Sequence, residues 1–186
     1  MEAKNLEQYG AIRLGIPDGT PITVLHIGEQ QTIVVAGTGA EPSAVFKLPI
    51  GSRKTAAEYF QHNPPTPGEI ENAIVAVEDA VASARTIISG GARLFTTDEA
   101  IRKIALISGV PDGTALVLTR DAMEQTFERL TEVILGRPGS REEIPADATF
   151  AATLLILREF MHHLQFLSIT VKAGYTSKMS GEIETR

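Results

Sequence analysis

The sequence predicts an α/β domain whose mixed sheet begins with a three-stranded antiparallel meander and carries helices on its faces. Two β-branched apolar runs within residues 21–37 flank a polar turn at residues 29–31, which is typical of adjacent antiparallel strands. A third such run at 43–48 follows the turn residues Thr38-Gly39-Ala40-Glu41-Pro42. Behind this meander, segments with helical periodicity alternate with short apolar runs, and that alternation favours a layered α/β domain.

Composition limits the classes of function. The chain has 186 residues, 43% of them hydrophobic, which is enough for one core. We expect a single domain over 1–186, with an N-terminal arm or helix at 1–19, an ordered core at about 20–175 and a polar tail at 176–186. The net charge of −6, with acidic and basic residues interspersed, argues against a nucleic-acid partner, and the lack of cysteine excludes disulfides, thiol catalysis and zinc–thiolate sites. The sequence has no signal-peptide core and no long apolar run, so we expect a cytoplasmic protein without membrane contact.

The predicted elements can be placed in chain order. A short helix at 2–9 ending at Gly10 precedes the meander, and a second short helix opens at Gly51. The rest of the prediction is a helix at 66–88, a strand at 92–95, a helix opened by residues 96–99, a strand or helix lead at 115–118, a helix from 119, a loop at 136–145, a helix from 146 and a strand at 167–171.

Two of these helices have specific sequence signals. Thr66, Pro67 and Glu69 form a capping box with proline at the first helical position, followed by apolar residues every three or four positions. The helix from residue 146 is nearly apolar around its whole circumference, which is typical of a central helix packed on several sides. We interpret Thr96–Glu99 as a second capping box, and Glu78-Asp79 as a solvated helix face.

Several local sequences resemble, in order, the motifs of one known family. Residues 26–33 (HIGEQQTI) stand in the place of a DIGGGSTE phosphate loop, residues 145–157 in the place of an ERADVI helix, and residues 169–174 in the place of a TVSDAGLREG segment. These features resemble the second half of the phosphatase domain of the Ppx/GppA family of exopolyphosphatases and guanosine pentaphosphate phosphohydrolases, over about residues 2–183. The resemblance implies an RNase H-like, actin-like ATPase fold, as in sugar kinases, Hsp70 and actin.

The motifs depart from the family pattern at the positions that carry its chemistry. Glu29, Gln30 and Gln31 replace two glycines and a serine, although glycines let backbone N–H groups approach a phosphate. Glu29 adds a negative charge to this loop, and His26 replaces an aspartate that in the family would hold a metal or its waters. The resemblance places the candidate ligand-binding residues in three loops: His26, Gly28, Glu29, Gln30, Gln31 and Thr32 in the first, Thr96 and Thr97 in the second, and Lys172, Gly174 and Tyr175 in the third.

Each candidate also has a purely structural interpretation. His26 can be a strand-end histidine, the residues at 29–31 a plain polar turn, Thr96 and Thr97 helix caps, and Tyr175 a packed turn aromatic. Glu159, His162 and His163 invite a metal interpretation, but adjacent histidines on a helix point about 100° apart and the sequence shows no third ligand. We therefore predict no metal site and no catalytic residue.

The function hypotheses follow from the degenerate loops. The resemblance implies that a first domain supplies another phosphate loop and the residue that activates water, and we expect this sequence to lack that domain. The first hypothesis is a non-catalytic half-domain with a binding, regulatory or interaction role, forming a homodimer or binding a partner protein. The alternative is one part of an exopolyphosphatase or nucleotide phosphohydrolase, completed by another chain or by a homodimer, and a third is an unrelated α/β protein with the same order of elements. A phosphorylated small molecule is the expected ligand, and Mg²⁺ would accompany it.

Overall fold

The computed structural model describes residues 2–136, 144–145 and 147–174. The elements are α1 (Glu2–Arg13), β1 (Ile22–Ile27), β2 (Thr32–Gly37), β3 (Ala44–Leu48), α2 (Ser52–Tyr59), α3 (Pro67–Ala82), a 3₁₀ helix (Ser83–Ile87), β4 (Arg93–Thr96), α4 (Glu99–Ile107), β5 (Ala115–Thr119), α5 (Arg120–Ile134), α6 (Ala148–His163) and β6 (Ser168–Lys172). Tyr175, the predicted tail at 176–186 and most of the predicted loop at 136–145 lie outside the described residues.

The described strands form one mixed sheet in the order β3-β2-β1-β4-β6-β5. The predicted meander is confirmed, since β1 pairs antiparallel with β2 from Ile22↔Gly37 to Ile27↔Thr32, and β2 pairs antiparallel with β3. Strands β1, β4 and β6 run parallel to one another, whereas β5, the last strand in this order, pairs antiparallel with β6. The carboxyl ends of β1, β4 and β6 therefore meet at one edge of the sheet.

The larger core lies between one face of the sheet and helices α2 to α6. Helix α6 is buried along most of its length and contacts α2, α3, α4, α5 and β1, as its apolar circumference predicts. The capping box at the start of α3 is also confirmed, because the Thr66 side chain accepts from the Glu69 N–H and the Glu69 carboxylate accepts from the Thr66 N–H.

A smaller core lies on the opposite face, where α1 covers β1 and β2. Tyr9 and Ile12 of α1 pack with Val24, Val35 and Phe95 of the sheet. Helix α1 continues through Gly10 to Arg13, so it is longer than the helix predicted from sequence. The Arg13 guanidinium is 4% exposed and donates to three backbone carbonyls near the end of β2 and in the turn before β1.

Two predicted helix boundaries are wrong. The helix that was expected to reach residue 88 ends as an α-helix at Ala82 and continues as the 3₁₀ helix. The capping box predicted at residues 96–99 does not form, because the N-cap of α4 is Asp98 and its side chain makes no capping hydrogen bond. The Asp98 carboxylate is used elsewhere, in the candidate site.

Candidate functional site

The candidate site lies at the sheet edge where β1, β4 and β6 end. Three segments leave the sheet there: residues 28–31 after β1, residues 97–98 after β4 and residues 173–174 after β6. In open α/β sheets, ligands bind in the crevice at the carboxyl ends of parallel strands. The sequence and the topology therefore indicate the same edge.

The hairpin loop, residues 28–31, closes through its first residue. The Gly28 N–H donates to the Gln31 carbonyl at 3.0 Å, and a Cβ on Gly28 would lie 2.8 Å from that carbonyl oxygen. A side chain at this position would collide with the loop's own backbone, so the closure of the hairpin requires glycine.

The start of helix α2 fixes the hairpin loop through hydrogen bonds to the loop's carbonyls. The Gly28 carbonyl accepts from the Ser52 N–H at 2.9 Å, and the Glu29 carbonyl accepts from Arg53 and Lys54 N–H groups at 3.0 Å. Gly51 allows this contact, because its Cβ would lie 2.6 Å from the backbone of the loop. The free N–H groups at the start of α2 are therefore satisfied by the loop's carbonyls, and the loop's own N–H groups take no part in this contact.

Two of those N–H groups have no backbone partner. In the part of the chain that the structure describes, no backbone carbonyl accepts from the N–H of Glu29 or Gln30. The side chains of both residues are exposed, and the Glu29 carboxylate lies 3.3 Å from the Arg53 guanidinium. The negative charge of Glu29 is thus balanced by Arg53 on α2 instead of standing alone in the loop.

A histidine–carboxylate pair lies beside the loop. His26 Nδ1 lies 2.6 Å from one carboxylate oxygen of Asp98, and the other oxygen accepts from the Ile27 N–H at 2.7 Å. An ionised carboxylate can only accept, so Nδ1 is the donor. The opposite ring nitrogen, Nε2, lies 3.4 Å from the position that a Gly28 Cβ would occupy, so it faces the start of the hairpin loop.

The environment of this pair favours a charged imidazole. The hydrogen bond from Asp98 raises the pKa of His26 above its ordinary value, against the opposing effects of burial and of Lys4. The His26 side chain is 26% exposed and that of Asp98 is 9% exposed. The site therefore presents a partly accessible imidazole, held by a carboxylate that favours its protonation, at the place where the family motif has an aspartate.

Asp98 has a role that its sequence context does not show. From sequence alone this residue is expected only in a capping box, because a polar residue after a strand and before a helix usually serves as a cap. The signal that was available is positional. Asp98 follows the predicted strand at 92–95, and His26 stands near the end of the first predicted strand. The parallel pairing of β4 with β1 brings both side chains to the same sheet edge.

The hydroxyls of the predicted threonines are mostly turned inward. The Thr32 side chain is buried and donates to the Ile50 carbonyl at 2.9 Å. Thr96 is buried and its hydroxyl accepts from the Asp98 N–H at 3.0 Å. The Thr97 hydroxyl is buried without a hydrogen-bond partner among the described residues, and the Thr97 carbonyl lies 3.9 Å from the Cβ position of Gly174.

The third loop is only partly assembled with the first. Gly174 joins the edge through Thr97, whereas Lys172 extends toward α1, with its Nζ 3.9 Å from the Cβ position of Gly15. The structure thus brings together His26, Gly28, Asp98, Thr97 and Gly174, but it directs Lys172 elsewhere.

The residues at this edge do not fit a protein-held magnesium ion. Mg²⁺ binds carboxylate oxygens and waters, and the two carboxylates placed at the loop are both engaged. Asp98 uses one oxygen for His26 and the other for Ile27, and Glu29 pairs with Arg53 on the exposed side.

Comparisons with known proteins agree on the fold. No protein-family model matches the sequence, and no curated protein matches it. Among solved structures, an Aquifex aeolicus member of the Ppx/GppA family matches with a TM-score of 0.75 at 20% identity, over 93% of this chain and 58% of the other. An exopolyphosphatase-like protein matches with a TM-score of 0.70 at 14% identity, over 91% of this chain and 63% of the other.

A third match sets the extent of the similarity. An exopolyphosphatase from Cytophaga hutchinsonii matches with a TM-score of 0.62 at 13% identity, over 92% of this chain and 59% of the other. In the described residues, no helix is both long enough and apolar enough to span a membrane. The chain spans 58–63% of the length of these structures, so it has the actin-like α/β fold of a little more than half of a Ppx/GppA protein.

Proposed function

We propose that this chain is a non-catalytic Ppx/GppA-like binding domain that takes a phosphorylated small molecule at the hairpin loop. The observation that carries the proposal is the geometry of the His26–Asp98 pair, which places an imidazole whose protonation Asp98 favours beside a glycine-closed loop. A phosphate oxygen attracts both a charged imidazole and outward-facing backbone N–H groups.

The loop supplies the second part of the binding chemistry. The N–H groups of Glu29 and Gln30 have no backbone acceptor in the described chain, and α2 fixes the loop through its carbonyls. Because α2 already fixes this loop and two of its N–H groups have no backbone acceptor, the loop should lose little entropy when an anion binds. The Glu29 charge weakens this attraction less than the sequence suggests, because Arg53 lies beside it.

The same contacts argue against hydrolysis by this chain. Hydrolysis of a phosphoanhydride needs a positioned water and stabilisation of the transferring phosphoryl group. Asp98 cannot easily act as the base, since both of its oxygens already accept hydrogen bonds from His26 and Ile27. Mg²⁺ that accompanies a ligand would be held mainly by the ligand's own phosphate oxygens, because both oxygens of Asp98 already accept hydrogen bonds and Glu29 is paired with Arg53 through one of its oxygens.

The proposal is tested by calorimetric titration with orthophosphate, pyrophosphate and tripolyphosphate, each with EDTA and with Mg²⁺. We expect pyrophosphate or tripolyphosphate to bind in EDTA, and we expect His26→Gln to weaken binding at least about tenfold, the loss of one charge-assisted contact. His62→Gln is the matched control, because His62 also pairs with a carboxylate, Glu69, at 2.9 Å but lies away from the loop on the exposed surface.

The pH dependence separates His26 from the ligand's own titration. Between about pH 6 and about pH 9, the wild-type chain should lose more affinity than His26→Gln, since only the wild type loses an imidazolium. No binding, or equal binding by His26→Gln, would contradict the proposal. Release of orthophosphate that depends on His26 would contradict its non-catalytic part.

A second candidate function is part of a phosphohydrolase that is completed by another chain or by a second copy of this one. Two observations favour it. The matched structures extend well beyond this chain, which spans 57–63% of their length, and a histidine oriented by an aspartate with its far nitrogen toward a loop is also the arrangement of a general base. Light scattering would show a homodimer, and a hydrolytic activity that appears only on mixing with a partner would favour this function over the first.

A further inference from the structure

A second cluster of ionisable side chains lies at the opposite edge of the sheet from the hairpin loop. His163 ends α6, Glu159 lies one turn earlier on that helix, and Glu78 reaches them from α3. His163 Nε2 lies 3.1 Å from a carboxylate oxygen of Glu78 and 3.1 Å from one of Glu159. Glu78 keeps 41% of its side chain exposed, in agreement with the predicted solvated helix face, but its carboxylate also closes this cluster.

These distances suit a shared metal ion. Zn²⁺ bonds of about 2.0–2.2 Å place neighbouring ligand atoms of a tetrahedral site about 3.3–3.5 Å apart. The three candidate ligand atoms lie within 4.8 Å of one another, so an ion between them needs only small shifts of the two carboxylates. Imidazole nitrogen with carboxylate oxygen is a donor set that suits Zn²⁺ better than Mg²⁺.

A metal ion would satisfy this cluster better than the single hydrogen that His163 Nε2 can carry. Nε2 carries at most one hydrogen, and here it faces two carboxylate oxygens at the same distance. Glu159 is 1% exposed, and in the described chain its second oxygen is contacted only by His163, while Arg158 takes the first. A buried carboxylate oxygen that is directed into the cluster has lost its water and gains most from a bound ion.

The balance of charge is a further and separate feature. The Arg158 guanidinium contacts both Glu159 and Glu124. Its Nε lies 2.8 Å from a carboxylate oxygen of Glu124. Three carboxylates, those of Glu78, Glu124 and Glu159, thus share Arg158 and two histidines, since His162 Nδ1 also lies 3.9 Å from a carboxylate oxygen of Glu124. A divalent ion would balance this group at the point where two of the carboxylates converge.

The surroundings give the ion an entry path and an open position. His163 lines a cleft of about 810 Å³ at the start of β4 and β6, together with Arg85, Arg93 and Gln165. Three protein ligands leave at least one coordination position, as in zinc sites that bind water or a ligand and unlike closed structural sites. We propose that Glu78, Glu159 and His163 bind a divalent transition-metal ion of the Zn²⁺ type, with His163 as the ligand that also lines this cleft.

The test uses the full chain without an affinity tag, titrated with Zn²⁺ alone, with the visible absorption of bound Co²⁺ as a second readout. We expect one ion per chain. Glu78→Gln and His163→Gln should each weaken binding by more than about tenfold and remove the Co²⁺ bands, because a lost ligand costs more than a lost outer contact. Glu78 is a suitable first variant, since its side chain is 41% exposed and the substitution keeps its volume.

Two control variants separate this site from histidines in general. His162 is the next residue on α6 and is 57% exposed, and His62 pairs with Glu69 elsewhere on the surface. His162→Gln and His62→Gln should bind Zn²⁺ as the wild type does, and so should His26→Gln, because the hairpin loop lies at the other edge. At about 100 times the dissociation constant, Zn²⁺ should raise the melting temperature by roughly 5–11 °C, and EDTA should reverse the rise.

Three results would overturn the proposal. The first is a chain that binds no Zn²⁺ or Co²⁺ while it is folded by circular dichroism. The second is binding that Glu78→Gln and His163→Gln leave unchanged. The third is a loss of thermal stability in these variants that is the same with and without metal, because that result would show an ion-pair network that holds α3 to α6 and no metal site.

Discussion

The contact between Asp98 and His26 can be tested by replacing the carboxylate with an amide. In Asp98→Asn, the amide oxygen can still accept from the Ile27 N–H, which the wild-type carboxylate binds at 2.7 Å. The charge-assisted contact of 2.6 Å to His26 is lost. The substitution therefore removes one charge and one strong hydrogen bond without creating a cavity.

The expected cost depends on pH in a defined direction. The Asp98 hydrogen bond raises the pKa of His26 in the folded chain, so protonation stabilises the fold. This contribution is complete below the unfolded pKa of about 6.5 and is lost as the pH rises through the raised folded pKa. The difference in stability between wild type and Asp98→Asn should be largest near pH 6 and small near pH 9.

The magnitude follows from the strength of such contacts. A hydrogen bond to a charged group contributes about 1.5–3 kcal/mol, and the lower part of that range applies because the His26 side chain is 26% exposed. We expect a loss of about 1.5–2 kcal/mol near pH 6, which lowers the melting temperature by roughly 3–8 °C in a chain of this size. Near pH 9 the loss should fall below about 1 kcal/mol, because a neutral contact is weaker.

The assay is thermal unfolding from about pH 5.5 to 9, with NMR titration of the His26 ring in both proteins. Asp147→Asn is the matched control, since Asp147 is also an N-cap aspartate and its side chain accepts from the Phe150 N–H. Asparagine caps helices as well as aspartate does, so this variant should show little cost and no link to His26. An equal cost of Asp98→Asn at pH 6 and pH 9, or an unchanged His26 pKa, would refute the reasoning.

Three further substitutions test the parts of the fold that hold the site. Gly51→Ala should destabilise the chain and displace the hairpin loop in NMR spectra, because its Cβ would lie 2.6 Å from that loop, whereas Gly68→Ala has no atom within 4 Å and should not lower the melting temperature. Thr66→Ala should cost about 0.5–2 kcal/mol in denaturant unfolding. The backbone N–H of Thr66 lowers the pKa of Glu69 to about 2, so the carboxylate half of this cap should persist until the pH falls well below 4.5. Arg13→Ala should cost about 3 kcal/mol, because Arg13 is 4% exposed, its three hydrogen bonds to backbone carbonyls would be lost, and the Thr20 carbonyl would lose its donor.

Local sequence was sufficient for the features that depend on neighbours in the chain. The meander could be predicted because β-branched runs and turn residues alternate within residues 21–48. The start of α3 could be predicted because Thr66 and Glu69 satisfy each other's backbone N–H groups across one turn. The apolar circumference of α6 likewise determined that this helix would be central. The order of these features was enough to identify the Ppx/GppA-like fold.

The chemistry of both candidate sites was decided by contacts between residues that are far apart in sequence. Asp98 looked like a helix cap because nothing near it in the chain shows that β4 lies beside β1, which brings its carboxylate to His26 72 positions away. Glu78 looked like a solvated residue because only the packing of α3 on α6 brings it to His163, 85 positions away.

The physical reason is the range of each interaction. Helix capping, turn formation and hydrophobic periodicity act over a few residues, so the sequence by itself determined the elements and their buried faces. Pairing of ionisable groups requires two side chains within about 4 Å, and only the register of the sheet and the packing of the helices can set that distance. The fold was thus a property of the sequence pattern, whereas the histidine–carboxylate pair beside the hairpin loop and the cluster at the opposite edge are properties of the tertiary structure.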